Sequence, residues 1–286
     1  MKRIVTHPGS AHKDDFLACA LLVYRHNVPV YRREPSSEDL DDPGVAVVDV
    51  GERHEPEKAN FDHHQFPRDH EPICALSLVL DSMGLYEDAR ELCDWLEPAE
   101  WFDTRGPVGT AKWLGVERRI MNQLHSPIDV TLMRRFANER ELRPGHPVWE
   151  VMRMIGEDLV IYLTGLRKRL SFIGEHAEFW EVGENGGAFR VLFMPRTDPM
   201  PADASGGLER FIVAEGQHDQ VVAMVYPDRR GSGYGLSRYE DSPLLDFTRI
   251  GDEDDVHFAH ARGFVAKTTA TDPGRLRQLL GKAVVK

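Results

Sequence analysis

At 286 residues, with 41% hydrophobic and 29% charged side chains, the chain is long enough for two cored domains and has an ordinary folded composition, which excludes a disordered or fibrous protein. The 47 acidic against 35 basic side chains leave a formal net charge of -12, which argues against a protein that coats duplex nucleic acid through a basic surface. Cys19, Cys74 and Cys93 are too few and too scattered for a disulfide framework or a CxxC knuckle, and two of them lie in apolar runs, as buried thiols in a reducing compartment do.

The first residues lack the apolar core of a secretory signal, and the most apolar run, residues 16–24, is less than half of a membrane span, so a cytoplasmic protein with no membrane partner is expected. Ile4-Val5-Thr6 reads as a short strand ended by Pro8-Gly9. Residues 14–26 carry apolar side chains at helical spacing, which places Asp14-Asp15 at a helix N-terminus. Residues 28–32 read as the next strand, followed by a polar loop over 34–43. Residues 45–50 are apolar without alternation, as in a parallel strand covered on both faces, and Asp49 ends that run. In open α/β sheets that end is where ligands bind.

Phe61-Asp62-His63-His64-Gln65 follows a polar segment. An acid and two imidazoles after an apolar residue need partners for every nitrogen and a counter-charge for the carboxylate, and a divalent cation satisfies all three. Residues 75–85 and 86–102 read as helices, the second leading into Phe102-Asp103. From 118 to 175 the pattern is helical throughout, broken at Pro127, Pro144 and Pro147, with one long helix over 148–172. Beyond it, residues 189–194, 220–226 and 234–239 read as strands between turn signals such as Asn185-Gly186-Gly187, and residues 273–284 as a closing helix. The expected fold is α/β: a mainly parallel sheet flanked by helices over residues 1–175, then a smaller α+β domain over 176–286.

His7, His12, Asp14, Asp49, Asp62, His63, His64 and Asp103 together form a mixed imidazole and carboxylate set, which suits Mn, Zn, Fe or Co and suits calcium poorly. With several carboxylates at hand, one acid could bridge two ions about 3.5–4 Å apart, as in two-metal phosphoester hydrolases. His64, where it is not a ligand, could donate to a phosphate oxygen or leaving group. Arg238, His260, Arg262 and Lys267 could gather as a basic face for a phosphate chain.

Thr6-His7-Pro8-Gly9-Ser10-Ala11-His12-Lys13-Asp14-Asp15, then Val47-Val48-Asp49-Val50-Gly51, then Phe61-Asp62-His63-His64-Gln65 resemble the melanocyte-proliferating-gene exonuclease family, relatives of the DHH phosphoesterases. Val225-Tyr226-Pro227-Asp228 and His260-Ala261-Arg262-Gly263-Phe264-Val265 resemble its later blocks. The resemblance implies an N-terminal DHH-like metal domain, a C-terminal domain that closes over the substrate, and 3′-to-5′ hydrolysis of RNA. It implies two divalent metals, Mn before Zn, Fe, Co or Mg, held by His7, His12, Asp14, His63 and Asp103 and bridged by Asp49. It further implies that Asp62 orients a neighbouring ligand and that His64 faces the scissile phosphate. The partner implied is RNA or an oligonucleotide, and a homo-oligomer is compatible with it. Two departures stand out: His12 falls where the wider superfamily has an acid, and Lys267 replaces a pair of glycines. A phosphoesterase for small compounds (a cyclic dinucleotide, bisphosphonucleotide or pyrophosphate) and an inactive metal-binding scaffold are the alternatives.

Overall fold

The computed structural model describes residues 1–123, 126–183 and 187–285, so the turn signal at Asn185-Gly186 lies outside the described residues. The chain forms two compact units, Met1–Gly165 and Leu166–Lys286, dividing within a long helix.

The first unit runs β1 (Arg3–Thr6), α1 (Lys13–His26), β2 (Val30–Arg32), α2 (Ser37–Asp41), β3 (Val45–Val48), β4 (His54–Glu55), a 3-10 turn, β5 (Asn60–Phe61), α3 (Ala75–Ser82), α4 (Tyr86–Leu92), α5 (Leu96–Trp113), α6 (Arg118–Gln123), α7 (Pro127–Asn138), β6 (Glu141–Leu142) and α8 (Pro147–His176). Its sheet has the order β4-β5-β3-β1-β2-β6. The four central strands are parallel and the two edge strands antiparallel. After β2 the chain crosses to the other side of β1 to form β3, so a topological switch point lies between β1 and β3. The register places Phe61, Val48, Thr6 and Arg32 side by side at the carboxyl ends of β5, β3, β1 and β2. Residues Val45–Val48 are fully buried, and Val5, Val45 and Val47 pack with Leu40 of α2.

Three expectations are corrected here. The segment 34–43 is no plain loop: Ser36 accepts a hydrogen bond from the Asp39 N–H, and Asp39 accepts one from the Ser36 N–H, a capping box that nucleates α2. Residues 86–102 are not one helix but α4 and the start of α5, and Asp103 lies inside α5 rather than after a helix. The helical reading of 118–175 is interrupted by β6, which pairs with β2. Within α5, Gly106 adopts φ 66° and ψ 175°, a break that lets the chain turn just after Asp103.

Helix α8 approaches α1 so closely at Gly156 that a Cβ there would sit 2.2 Å from the Ala20 carbonyl oxygen. Gly156→Ala gains roughly 1 kcal/mol of helix propensity. Because the atom it strikes is backbone, the helices must part, and a net destabilisation of about 1–3 kcal/mol is expected in denaturant unfolding.

The second unit holds β7 (Glu178–Val182), β8 (Phe189–Phe193), α9 (Leu208–Ala214), β9 (Val221–Pro227), β10 (Tyr234–Arg238), β11 (Val256–Ala259), β12 (Val265–Thr268) and α10 (Pro273–Lys282), in the sheet order β11-β12-β10-β9-β8-β7. Among the described residues of this sheet, only β8 and β9 pair in parallel; the other pairs are antiparallel. Strand alternation sends Val191, Val225, Leu236 and Ala266 toward Leu276 and Leu279 of α10, and Leu192 and Met224 toward Leu208 and Ile212 of α9. The α/β class with a smaller C-terminal α+β unit is thus the observed architecture.

Candidate metal centre

The residues that follow three adjacent strand ends converge. His7 follows β1, Asp49 follows β3 and Asp62 follows β5, with His63 and His64 next in the chain. Asp49 takes a left-handed conformation, φ 57°, which aspartate tolerates better than most residues because its short carboxylate can bond locally. His12 precedes α1, and Asp14 and Asp15 occupy its first turn, both buried. Asp103 comes from α5.

The His63 Nε2 lies 3.1 Å from Asp49 Oδ1 and 3.0 Å from Asp103 Oδ2. His12 Nδ1 lies 3.5 Å from Asp103 Oδ1. His7 Nδ1 bonds the Pro8 carbonyl at 3.0 Å, which turns Nε2 inward, 3.1 Å from Asp15 Oδ2 and 3.3 Å from Asp49 Oδ2. Ligand atoms of Asp49, Asp62, His63 and His64 lie within 4.8 Å of one another, as do those of His7, His12 and Asp49, and those of His12, Asp14 and Asp103. Asp49 belongs to two of these groups.

Asp62 plays a different part. Its Oδ2 accepts from the Glu52 N–H at 2.6 Å, and its Oδ1 accepts from the His64 N–H at 3.1 Å and faces His64 Nδ1 at 2.6 Å. That leaves the other nitrogen of a largely exposed ring free. The Asp62 carboxylate, outweighing burial, raises the His64 pKa, so a proton on that ring is retained at neutral pH more than for a free imidazole.

Both oxygens of Asp14 and the Nε2 of His7 are buried without a hydrogen-bond partner. An ionised carboxylate left so is costly. In the metal-free protein burial pushes the Asp14 carboxyl well up, reinforced by the charges of Asp49, Asp103 and Asp15. A divalent cation relieves the same cost without a proton, and the imidazole and carboxylate donors fit first-row ions. The residues present therefore fit a metal centre.

Sequence reasoning singled out Asp14 and passed over Asp15 and Arg32. Asp15 accepts the His12 N–H at 2.8 Å, faces His7, and lies 3.6 Å from the buried Arg32 guanidinium. The three-residue step from His12 to an acid just inside a helix is the signal that could have found Asp15. Arg32 offers no such signal, because what it bonds is set by tertiary contact.

Within the second unit, Arg238, His260 and Arg262 gather around one turn. The Arg238 N–H donates to the Phe264 carbonyl, His260 N–H to the Val265 carbonyl, and His260 Nδ1 accepts from the Arg262 N–H. Arg238 also lines a cavity of about 510 Å³ with Gly207, Tyr226, Ser237 and Phe264. Lys267 is committed elsewhere, to Asp228 at 2.8 Å.

An α/β unit with a carboxylate and imidazole cluster at its switch point is the class defined by this geometry. Residues 3–88 match the sequence model of the Uncharacterised protein family (UPF0160). The MYG1 exonuclease of Rattus norvegicus is 45% identical over 67 residues, 22% of this chain and 17% of the relative, and that of Homo sapiens 43% identical over the same extents. The chain thus spans less than a fifth of the length of the curated relatives it matches. Among solved structures, a pGpG-specific phosphodiesterase of Vibrio cholerae aligns over 98% of this chain and 96% of its own at 12% identity and TM-score 0.29. The DHH domain of a member of a ribosomal-protein family aligns over 98% of this chain and 85% of its own at 14% identity and TM-score 0.32. With superpositions this weak, the fold assignment rests on the strand order itself. Among the described residues, no helix is long and apolar enough to cross a membrane.

Proposed function

We propose that the chain is a metal-dependent phosphodiester hydrolase that removes nucleotides from the 3′ end of RNA or short oligonucleotides, with residues 1–175 as the catalytic domain and 176–286 binding substrate. The observation that carries this reading is the convergence of His7, His12, Asp14, Asp49, His63 and Asp103, with both oxygens of the buried Asp14 carboxylate left without a protein donor.

In this reading His7, His12, Asp14, His63 and Asp103 would hold two divalent cations, Mn before Zn, Fe, Co or Mg, with Asp49 as the ligand the two would share. When bound, such ions acidify water and offset the charge that develops on phosphoryl oxygens. The chain's own groups supply the rest. Asp62 fixes the His64 ring through Nδ1, so its outer nitrogen presents a proton to a phosphate oxygen or to the departing ribose oxygen. Arg238, His260 and Arg262 position the nucleotide chain, and Lys267 reaches a phosphate only by leaving Asp228.

The test is a 5′-labelled short RNA incubated with the protein and Mn²⁺, beside a panel of cyclic dinucleotide, bisphosphonucleotide and pyrophosphate. A ladder of stepwise 3′ shortening is the expected result. Hydrolysis of the small compounds alone, read as linear dinucleotide or mononucleotide from the cyclic dinucleotide and as phosphate from the other two, would move the substrate to that class, and bound metal with no turnover of any substrate would overturn the hydrolase.

A further inference from the structure

We propose that Arg32 is a positioning residue for the metal centre: a buried guanidinium that clamps the loop carrying His7 and His12 and thereby sets the spacing of both imidazoles. The proposal rests on the metal-centre reading above and assigns a role to a residue that lies outside the ligand set.

Arg32 ends β2, and its Cα pairs in register with Thr6, the residue just before His7. Its side chain is 1% exposed. Nη1 donates to the Gly9 carbonyl at 3.2 Å and to the Phe136 carbonyl at 3.2 Å, and Nη2 donates to the Ser10 carbonyl at 2.9 Å. The guanidinium also lies 4.5 Å from the centre of the Phe136 ring and 3.6 Å from Asp15 Oδ2.

Burying a guanidinium is expensive unless its donors and charge are answered. Here Nη1 and Nη2 are answered by two consecutive carbonyls of one loop and by α7, and the charge by the carboxylate that faces His7, while Nε has no hydrogen-bond partner. The loop needs such a clamp. Pro8, Gly9 and Ser10 are exposed, and Gly9 takes φ 87°, a conformation that nothing in its own packing enforces. With the carbonyls of Gly9 and Ser10 fixed, the five-residue step from His7 to His12 has one geometry, and Asp15 is held against both: it accepts the His12 N–H and faces His7 Nε2. A lysine could answer the charge of Asp15, yet it lacks the planar fork that reaches carbonyls on two sides.

The test uses the full chain with Arg32→Lys and Arg32→Ala, after circular dichroism has shown each to be folded. Arg32→Lys is expected to weaken Mn²⁺ binding by about 10- to 100-fold in a calorimetric titration. Guanidinium at millimolar concentration is expected to restore Mn²⁺ affinity to Arg32→Ala, whereas methylammonium is not. Hydrogen exchange supplies a readout that needs no metal: the amides of residues 9–15 exchange faster in Arg32→Lys, while those of Val45–Val48 keep their wild-type rates. Unchanged exchange at residues 9–15 in the lysine variant would overturn the clamp, as would Mn²⁺ affinity equal to wild type. Wild-type protein that binds no Mn²⁺ would instead sink the metal centre, leaving the exchange experiment to judge Arg32 by itself.

Discussion

Replacing Asp49 by asparagine is expected to cut the proposed metal-dependent hydrolysis, with a loss in kcat of roughly 10²-fold or more, and to lower the Mn²⁺ content of protein purified with that metal. Asparagine is the informative substitution because it tolerates the left-handed backbone at φ 57° and keeps the side chain's shape, removing only the charge. What disappears is the carboxylate that stands 3.1 Å from His63 Nε2 and 3.3 Å from His7 Nε2. Thermal unfolding of the metal-free variant separates this effect from misfolding: its transition is expected to remain cooperative. Activity and metal content equal to wild type in Asp49→Asn would refute the shared role given to this side chain.

Metal loading is expected to expel protons, and its stabilisation is expected to grow with pH. In the metal-free protein the Asp15 and Asp49 carboxylates raise the His7 pKa from 6.5 to about 10. Burial works against a charge on His63, but Asp103 and Asp49 prevail and raise it from 6.5 to about 10. Burial and its acidic neighbours push the Asp14 carboxyl well above the usual carboxylate range, so it holds its proton to higher pH than an ordinary carboxyl. A cation needs lone pairs on all three, so at pH 7 binding releases up to about two protons from His7 and His63, and any that Asp14 still holds.

The sign for the metal-free protein follows from the same shifts. A histidine raised from 6.5 to about 10 contributes stability that is complete below pH 6.5 and is lost as pH climbs through about 10. The raised Asp14 acts in the same direction, because the unfolded chain gives up that proton first. The melting temperature in EDTA should therefore fall between about pH 6.5 and 8.5, while a fixed Mn²⁺ concentration of 100 times the Kd at pH 6.5 adds about 2.7 kcal/mol there and more as the Kd falls with rising pH. Calorimetric titrations in two buffers of different ionisation heat measure the protons directly. Equal heats in both, or a gap between EDTA and Mn²⁺ melts that does not widen with pH, would contradict this account.

Where local patterning and tertiary environment agree, the fold and site were readable. Val45 to Val48 is apolar without alternation and is buried in a central parallel strand, and Asp49 stands at its carboxyl end. Asp62-His63-His64 was legible because such a costly triplet has few solvated excuses. Other features left no periodic trace. Strands β4, β5 and β6 are two residues long, too short for alternation to register. The break between α4 and α5 falls at Cys93 to Trp95, where neither glycine nor proline marks it. Asp103 was found by type, but its place within a helix depended on Gly106 breaking α5 three residues later. Lys267 read as a free cation because its partner, Asp228, lies 39 residues away in the chain. Arg32 was hidden for the same reason, its Phe136 carbonyl being 104 residues distant.

The register that aligns Thr6, Val48 and Phe61 makes the sheet's main-chain lattice a ruler for the chemistry. Neighbouring strands lie about 4.8 Å apart, so side chains issuing from successive strand ends inherit a fixed gauge that no surface loop can stretch. Insertions and deletions in the connections beyond those ends can reshape what the protein grips, while the spacing of His7, Asp49 and Asp62 stays ruled by peptide hydrogen bonds.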